Sequence, residues 1–250
     1  MSEASRNAVP EQEWTEELKK ENERAVWVHV IPFLVWITFI PLFDPSGWAY
    51  AARTVLGTAV LLACRPWRWY APPRWRNMPL AVGIGVLVFV VWVGPESAWF
   101  TERFPALSEA YERYAVDLTR FGKLREPLER PSPYDPSVTG WPLFWAHMFG
   151  TSIAVALLEE FFWRGFLYRW MLGSPFFRIP MGRMSVGMFV AVAALFGIEH
   201  FEWAAGIACG LLFGWLVIHT RDIWAGVVAH AVTNFMLGIY VWQSGAWQFW

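Results

Sequence analysis

The stretch SIAVALLEEFFWR, residues 152–164, sets two adjacent carboxylates, Glu159 and Glu160, and one guanidinium, Arg164, into an otherwise apolar run. Ionisable groups in such a setting are costly, so they usually persist only where they do something. On a helix Glu160 and Arg164 lie four apart and share a face, which lets them pair. Glu159 is turned about 100° away. Two carboxylates side by side in a low dielectric repel. An arginine beside one of them holds that one ionised and leaves the other to titrate as a base. A structural ion pair tying helices together is the bland alternative, and the second carboxylate argues against it. The chemistry implied lies inside a membrane.

The remainder of the chain is built to match. Of 250 residues, 56% are hydrophobic and 16% charged, where a soluble domain carries about a quarter charged. Nineteen Trp and 20 Phe supply rings that settle at membrane–water boundaries. A net charge of −1 provides no broad basic surface, so nucleic acid is not an expected partner. Cys64 and Cys209 stand in apolar runs without a CxxC spacing and read as small core hydrophobes.

Apolar runs fall at about 26–43, 47–64, 78–95, 141–168, 184–200, 204–218 and 223–242, each near the ~20 residues that cross a bilayer. The expected fold is therefore all-α: a polytopic integral membrane bundle of about seven transmembrane helices. Residues 1–25 are polar and lack the order of a cleavable signal; they read as a cytoplasmic helix preceding the bundle, 26–250. Arginines crowd the second, fourth and sixth connections (Arg65, Arg68, Arg74, Arg76; Arg178, Arg183; Arg221), whereas the first and fifth carry no Lys or Arg. This places the N-terminus inside and Trp250 outside. The third connection, 96–140, is a long extramembrane loop of mixed charge whose middle, Leu107 to Leu124, is expected to form an interfacial or capping helix.

Two further polar pairs occupy spans. Phe196 and His200 share a face at the end of span five, with Gly197 between them allowing close helix approach. His230 and Asn234 share a face of span seven, where lipid would tolerate neither, so the bundle interior is their expected surrounding. An interhelical hydrogen bond worth roughly 1 kcal/mol is the simpler account of either pair taken alone. Glu199 and Glu202 read as solvated helix ends. His147 precedes Glu160 by 13 residues, roughly 20 Å of helix, which puts it outside the site.

Taken in order, Glu159-Glu160-xxx-Arg164, Phe196-xxx-His200 and His230-xxx-Asn234 resemble the CAAX prenyl protease and bacteriocin-processing family of membrane proteases, often called CPBP or ABI. The resemblance covers roughly 141–245 as a catalytic core, with Gly206, Gly210 and Gly214 at small-residue positions between the second and third motifs. The N-terminal half and the ending Trp247-Gln248-Phe249-Trp250 resemble the branch that accompanies bacterial exosortase sorting systems. The resemblance implies a multi-pass protease of a bacterial inner membrane that acts on a membrane-associated protein or peptide. It makes Glu159 the general base and has His200 hold the attacking water. Glu160 and Arg164 pair to set the charge of the site, and His230 and Asn234 donate to the tetrahedral oxyanion. No cofactor is expected.

Three alternatives stay open. His200, His230 and Glu159 or Glu160 match the number of ligands of a zinc hydrolase, although HExxH is absent and Arg164 opposes a cation. A non-catalytic scaffold or regulator would use the same groups as helix glue. A proton-coupled transporter also explains buried carboxylates, but no repeat is visible. Counting along straight spans creates one conflict: Glu159 lies ~15 Å, His230 ~10 Å and His200 ~24 Å from the inner edge, too far apart in depth to share one water.

Overall fold

A computed structural model describes residues 14–38, 47–125 and 132–250, and every regular element among them is helical. Helix α1 (Glu16–Thr38) runs unbroken from the polar leader into the first apolar run, with Pro32 inside it. Leader and first span are thus one rod, and the first connection lies outside the described residues. Helices α2 (Gly47–Cys64) and α3 (Met78–Val93) follow. Two short helices, α4 (Ala98–Arg103) and α5 (Pro105–Tyr111), start the third connection. The expected continuous capping helix is instead broken at Tyr111 into a π-helical turn, Glu112–Val116, and a 3-10 turn, Leu118–Arg120.

Next come α6 (Trp141–Leu172), α7 (Val186–Ile198), α8 (Trp203–Thr220) and α9 (Ile223–Ser244). Among the described residues, five helices have the length and apolarity to cross a membrane: those spanning Gly47–Trp69, Trp75–Glu96, Trp141–Leu172, Trp203–Thr220 and Ile223–Ser244. Of the other two expected spans, α1 leads into undescribed residues and α7 is a shorter apolar helix.

Helix α6 is the axis of the site. Its 32 residues extend ~48 Å at the α-helical rise, well beyond the ~30 Å hydrocarbon layer. Two π-helical segments, Gly150–Val155 and Phe161–Leu167, bracket the α-helical Ala156–Glu160. Such π segments occur often at functional sites. They place Glu159 and Glu160 in a short α-helical block between two altered registers.

Helix α8 lies along α7 through its glycines. A Cβ on Gly206 would come 2.8 Å from Gly197 Cα, and one on Gly210 2.9 Å from Ala193 Cα. Lipid gives helices no hydrophobic drive to associate, so this close backbone packing is what holds the pair. Gly210→Leu is expected to lower stability by about 1–3 kcal/mol through overpacking, read as a lower thermal midpoint in lipid or detergent. Around this pair a core forms from Phe33, Val88, Trp163, Phe196, Phe213 and Leu216.

Observed helix ends remove the depth conflict between Glu159 and His200. Helix α6 continues to Leu172, so Glu159 lies 13 residues from its end, while His200 lies 14 residues beyond Val186; both distances come to about 20 Å. Helix α9 is capped by Asp222, which accepts from Trp224 N (3.1 Å) and also from Arg74 N and Asn77 Nδ2 (both 3.0 Å). The connection carrying Arg74 therefore covers the start of α9.

Candidate active site

Glu160 is fully buried and accepts from Arg164 Nη1 at 2.8 Å through Oε1. The same oxygen faces His230 Nδ1 at 3.2 Å. This closeness depends on α9 having no side chain at Gly226, where a Cβ would stand 2.8 Å from Glu160 Oε2. The Arg164 guanidinium lies over Phe196 at 4.2 Å and Phe213 at 5.6 Å and reaches the Gly210 carbonyl at 3.4 Å. A planar cation suits such stacking, which a lysine would not reproduce. The ring of Phe213 also stacks on His230, with centroids 5.0 Å apart. One arginine thus joins α6, α7, α8 and, through Glu160, α9.

A cavity of about 260 Å³ opens between α3, α6, α7, α8 and α9, with His200, His230, Asn234 and Glu199 on its wall. His200 Nδ1 is 2.7 Å from the Phe196 carbonyl. That oxygen can only accept, so Nδ1 carries the hydrogen and Nε2 keeps a lone pair for a water. Trp92 of α3 presses edge-on against His200, with centroids 5.4 Å apart. Asn234 donates Nδ2–H to the Thr151 carbonyl at 2.8 Å, which leaves its second N–H available.

Glu159 does not line this cavity. It is buried along α6 one turn beyond Val155, which does line the wall, and its Oε2 has no hydrogen-bond partner. The charges acting on it are Glu199, Arg164, Glu160 and Arg53. The structure therefore brings Glu160, Arg164 and His230 into direct contact and gives His200, His230 and Asn234 one wall, with Glu159 at its back.

Residues 141–236 match the family model for type II CAAX prenyl endopeptidases of the Rce1-like kind. This segment is similar to the Rce1-like family. The Rce1-like segment covers less than half of the chain but contains all seven motif residues, Glu159 through Asn234. The CAAX-protease resemblance of the motifs is borne out there; the match does not extend to the exosortase-accompanying branch. Comparisons with curated proteins and with solved structures give no match.

Several side chains depart from expectation. Glu202 is not a solvated end: it is buried and 3.4 Å from Arg125, which also bridges to Glu96 at 3.4 Å. The third connection thereby folds over the cavity mouth. Cys209, read from the sequence as a small core hydrophobe, is buried and also on the cavity wall. Among the described residues it makes no hydrogen bond to a histidine or carboxylate. Among those residues too, no three His, Cys, Asp or Glu side chains converge as metal ligands. His29 is structural, held by the Ala25 carbonyl and the Tyr70 hydroxyl at 2.7 and 2.8 Å.

Burial lifts the Glu202 carboxyl to about 7 against the opposing pull of Arg125. A carboxyl raised in the folded state binds its proton there more tightly than in the unfolded chain. Stability therefore falls as pH rises from about 4.5 to about 7 and stays lower above that. Glu202→Gln removes this dependence, so its thermal midpoint relative to wild type is expected to climb between pH 5 and pH 8.

Proposed function

We propose that the chain is an intramembrane endopeptidase that hydrolyses a peptide bond of a membrane-associated protein or peptide by water activated at Glu159 and His200. The observation that carries this reading is the cavity wall shared by His200, His230 and Asn234, backed by the buried Glu160–Arg164 pair. A His200-held water attacks the carbonyl carbon, and its proton passes through one intervening water to the Glu159 carboxylate behind the cavity wall. The scissile C–N bond then breaks, and the proton passes to the departing amine. His230, with Nδ1 against Glu160, directs Nε2 towards the cavity; with the free Asn234 N–H it stabilises the oxyanion where water is scarce. Glu160 and Arg164 set the field of the site and orient His230.

The fragment 141–245 is the catalytic core in this reading, and the third connection covers its entrance. A bacterial inner membrane is the proposed location. The test uses purified protein in lipid vesicles with a quenched-fluorescence peptide bearing a C-terminal lipid. Cleavage is expected to survive a strong chelator, and Cys209→Ala is expected to keep activity within about tenfold, as an enzyme without an acyl-enzyme must. Loss of activity in chelator moves the reading to a zinc hydrolase on the same residues. Absence of cleavage across a panel of lipidated and unlipidated peptides favours the scaffold.

A further inference from the structure

A second and larger cavity opens at the other end of the bundle, and the proposed chemistry does not use it. It has a volume of about 910 Å³ and lies between the start of α1, the end of α2 and the connection from α6 to α7. Five cationic side chains line it: Lys20 and Arg24 from α1, Arg65 and Arg68 just past α2, and Arg178 from the connection. Two carboxylates, Glu17 and Glu21, stand on the same wall. A left-handed turn at Arg65 (φ 54°) ends α2 and starts the 3-10 turn Pro66–Trp69, and both arginines of this corner reach the cavity.

The charges on this wall do not neutralise one another. Among the described residues, Lys19, Arg113, Arg120 and Arg125 each bridge to a carboxylate. Among those same residues Arg24, Arg65, Arg68 and Arg178 bridge to none, although Glu17 and Glu21 share their cavity. Like charges gathered around a void repel, and an anion placed in the void relieves that repulsion. Guanidinium forks match the oxygens of a phosphate two at a time.

Depth selects the kind of phosphate. Arg24 stands just before the first apolar run, and Arg65 directly follows the second. Beyond the arginines the wall turns apolar, with Val28 one turn past Arg24 on α1, and Ala63 and Cys64 on α2. Trp69 closes this part, packed on Phe177 with centroids 4.9 Å apart, as suits a ring at a membrane–water boundary. Charge on the water side and apolar surface on the lipid side is the layering of a phospholipid, not of a soluble phosphate. The positive-inside rule assigns this end to the cytoplasm, and basic pockets between helices on that side suit anionic head groups.

We propose that this cavity is a binding site for an anionic phospholipid of the cytoplasmic leaflet, its phosphate held by Arg24, Arg65, Arg68 and Arg178 and its glycerol end resting on Val28 and Ala63. Bound there, the lipid ties the leader end of α1 to α2 and to the α6–α7 connection. The site is independent of the hydrolysis proposed above.

The test titrates the purified whole chain, in a neutral detergent, with phosphatidylglycerol, phosphatidylcholine or inorganic phosphate. Thermal midpoint and native mass spectrometry are the readouts. Phosphatidylglycerol is expected to raise the midpoint by about 3 °C or more and to stay bound; the other two are expected to do neither. Arg65→Gln/Arg68→Gln and Arg24→Gln/Arg178→Gln are each expected to weaken phosphatidylglycerol binding at least about tenfold. These four side chains are exposed, so the midpoint without lipid is expected to stay at the wild-type value. The control pair, Arg74→Gln/Arg76→Gln, removes the same charge from exposed arginines of the same connection that lie outside the cavity, and is expected to keep binding within about twofold. Equal weakening by the control shows general attraction to a basic surface and overturns the site. Equal stabilisation by inorganic phosphate overturns the lipid, and equal retention of phosphatidylcholine overturns the selection for an anion. No readout requires peptide cleavage, so this site and the proposed hydrolysis stand or fall separately.

Discussion

Glu159→Gln is expected to lower peptide hydrolysis by at least about 10³-fold, because it removes the base and keeps the shape. The same substitution is expected to leave the thermal midpoint unchanged or raised. Glu159 Oε2 has no partner to lose, and the nearby Glu160 and Glu199 both oppose its charge. A residue whose removal abolishes function without costing stability is not helix glue, so paired cleavage and unfolding measurements on one preparation separate the two accounts. A fall in stability with activity retained would reverse the assignment.

Arg164→Ala is expected to do the opposite on the stability axis. It strips the 2.8 Å partner from a fully buried carboxylate and removes the cation from the faces of Phe196 and Phe213. Breaking a buried pair from one side costs about 3–5 kcal/mol, enough to leave little folded protein. Arg164→Lys recovers charge but not the stacking or the reach to the Gly210 carbonyl, so partial stability and poor activity are expected. The double change Glu160→Leu/Arg164→Met replaces the pair with apolar bulk; it is expected to regain the fold and still lack hydrolysis, since His230 loses the Glu160 oxygen that orients it. Activity in that double variant would show the pair to be dispensable.

Much of this was legible before any coordinates. Hydrophobic run lengths mark the helices, because a bilayer fixes their minimum length, and ionisable or polar groups inside those runs mark Glu159, Glu160, Arg164, His230 and Asn234. Arg53 lies in such a run as well; the rule that picks out Glu159 also picks it out, once arginines are read as intramembrane groups and not only as loop markers. Other features depend on geometry that one-dimensional periodicity does not carry. The π segments of α6 rotate Thr151 and Glu159 relative to an ideal helix, and no composition signal announces them. The burial of Glu202 requires Arg125, 77 residues away in sequence, to fold over the cavity mouth. The depth conflict came from ending span four at 168, just before Arg169, a residue whose guanidinium is buried on the carbonyls of Ile179 and Phe177. A buried arginine looks like a helix end when only sequence is read.

The most direct test of the central claim compares the membrane peptidomes of cells carrying the wild-type chain or Glu159→Gln at equal abundance. Hydrolysis at this site predicts membrane-associated proteins or peptides that are trimmed in the wild type and accumulate uncut in the variant. Indistinguishable peptidomes, with both proteins folded and inserted, would contradict it.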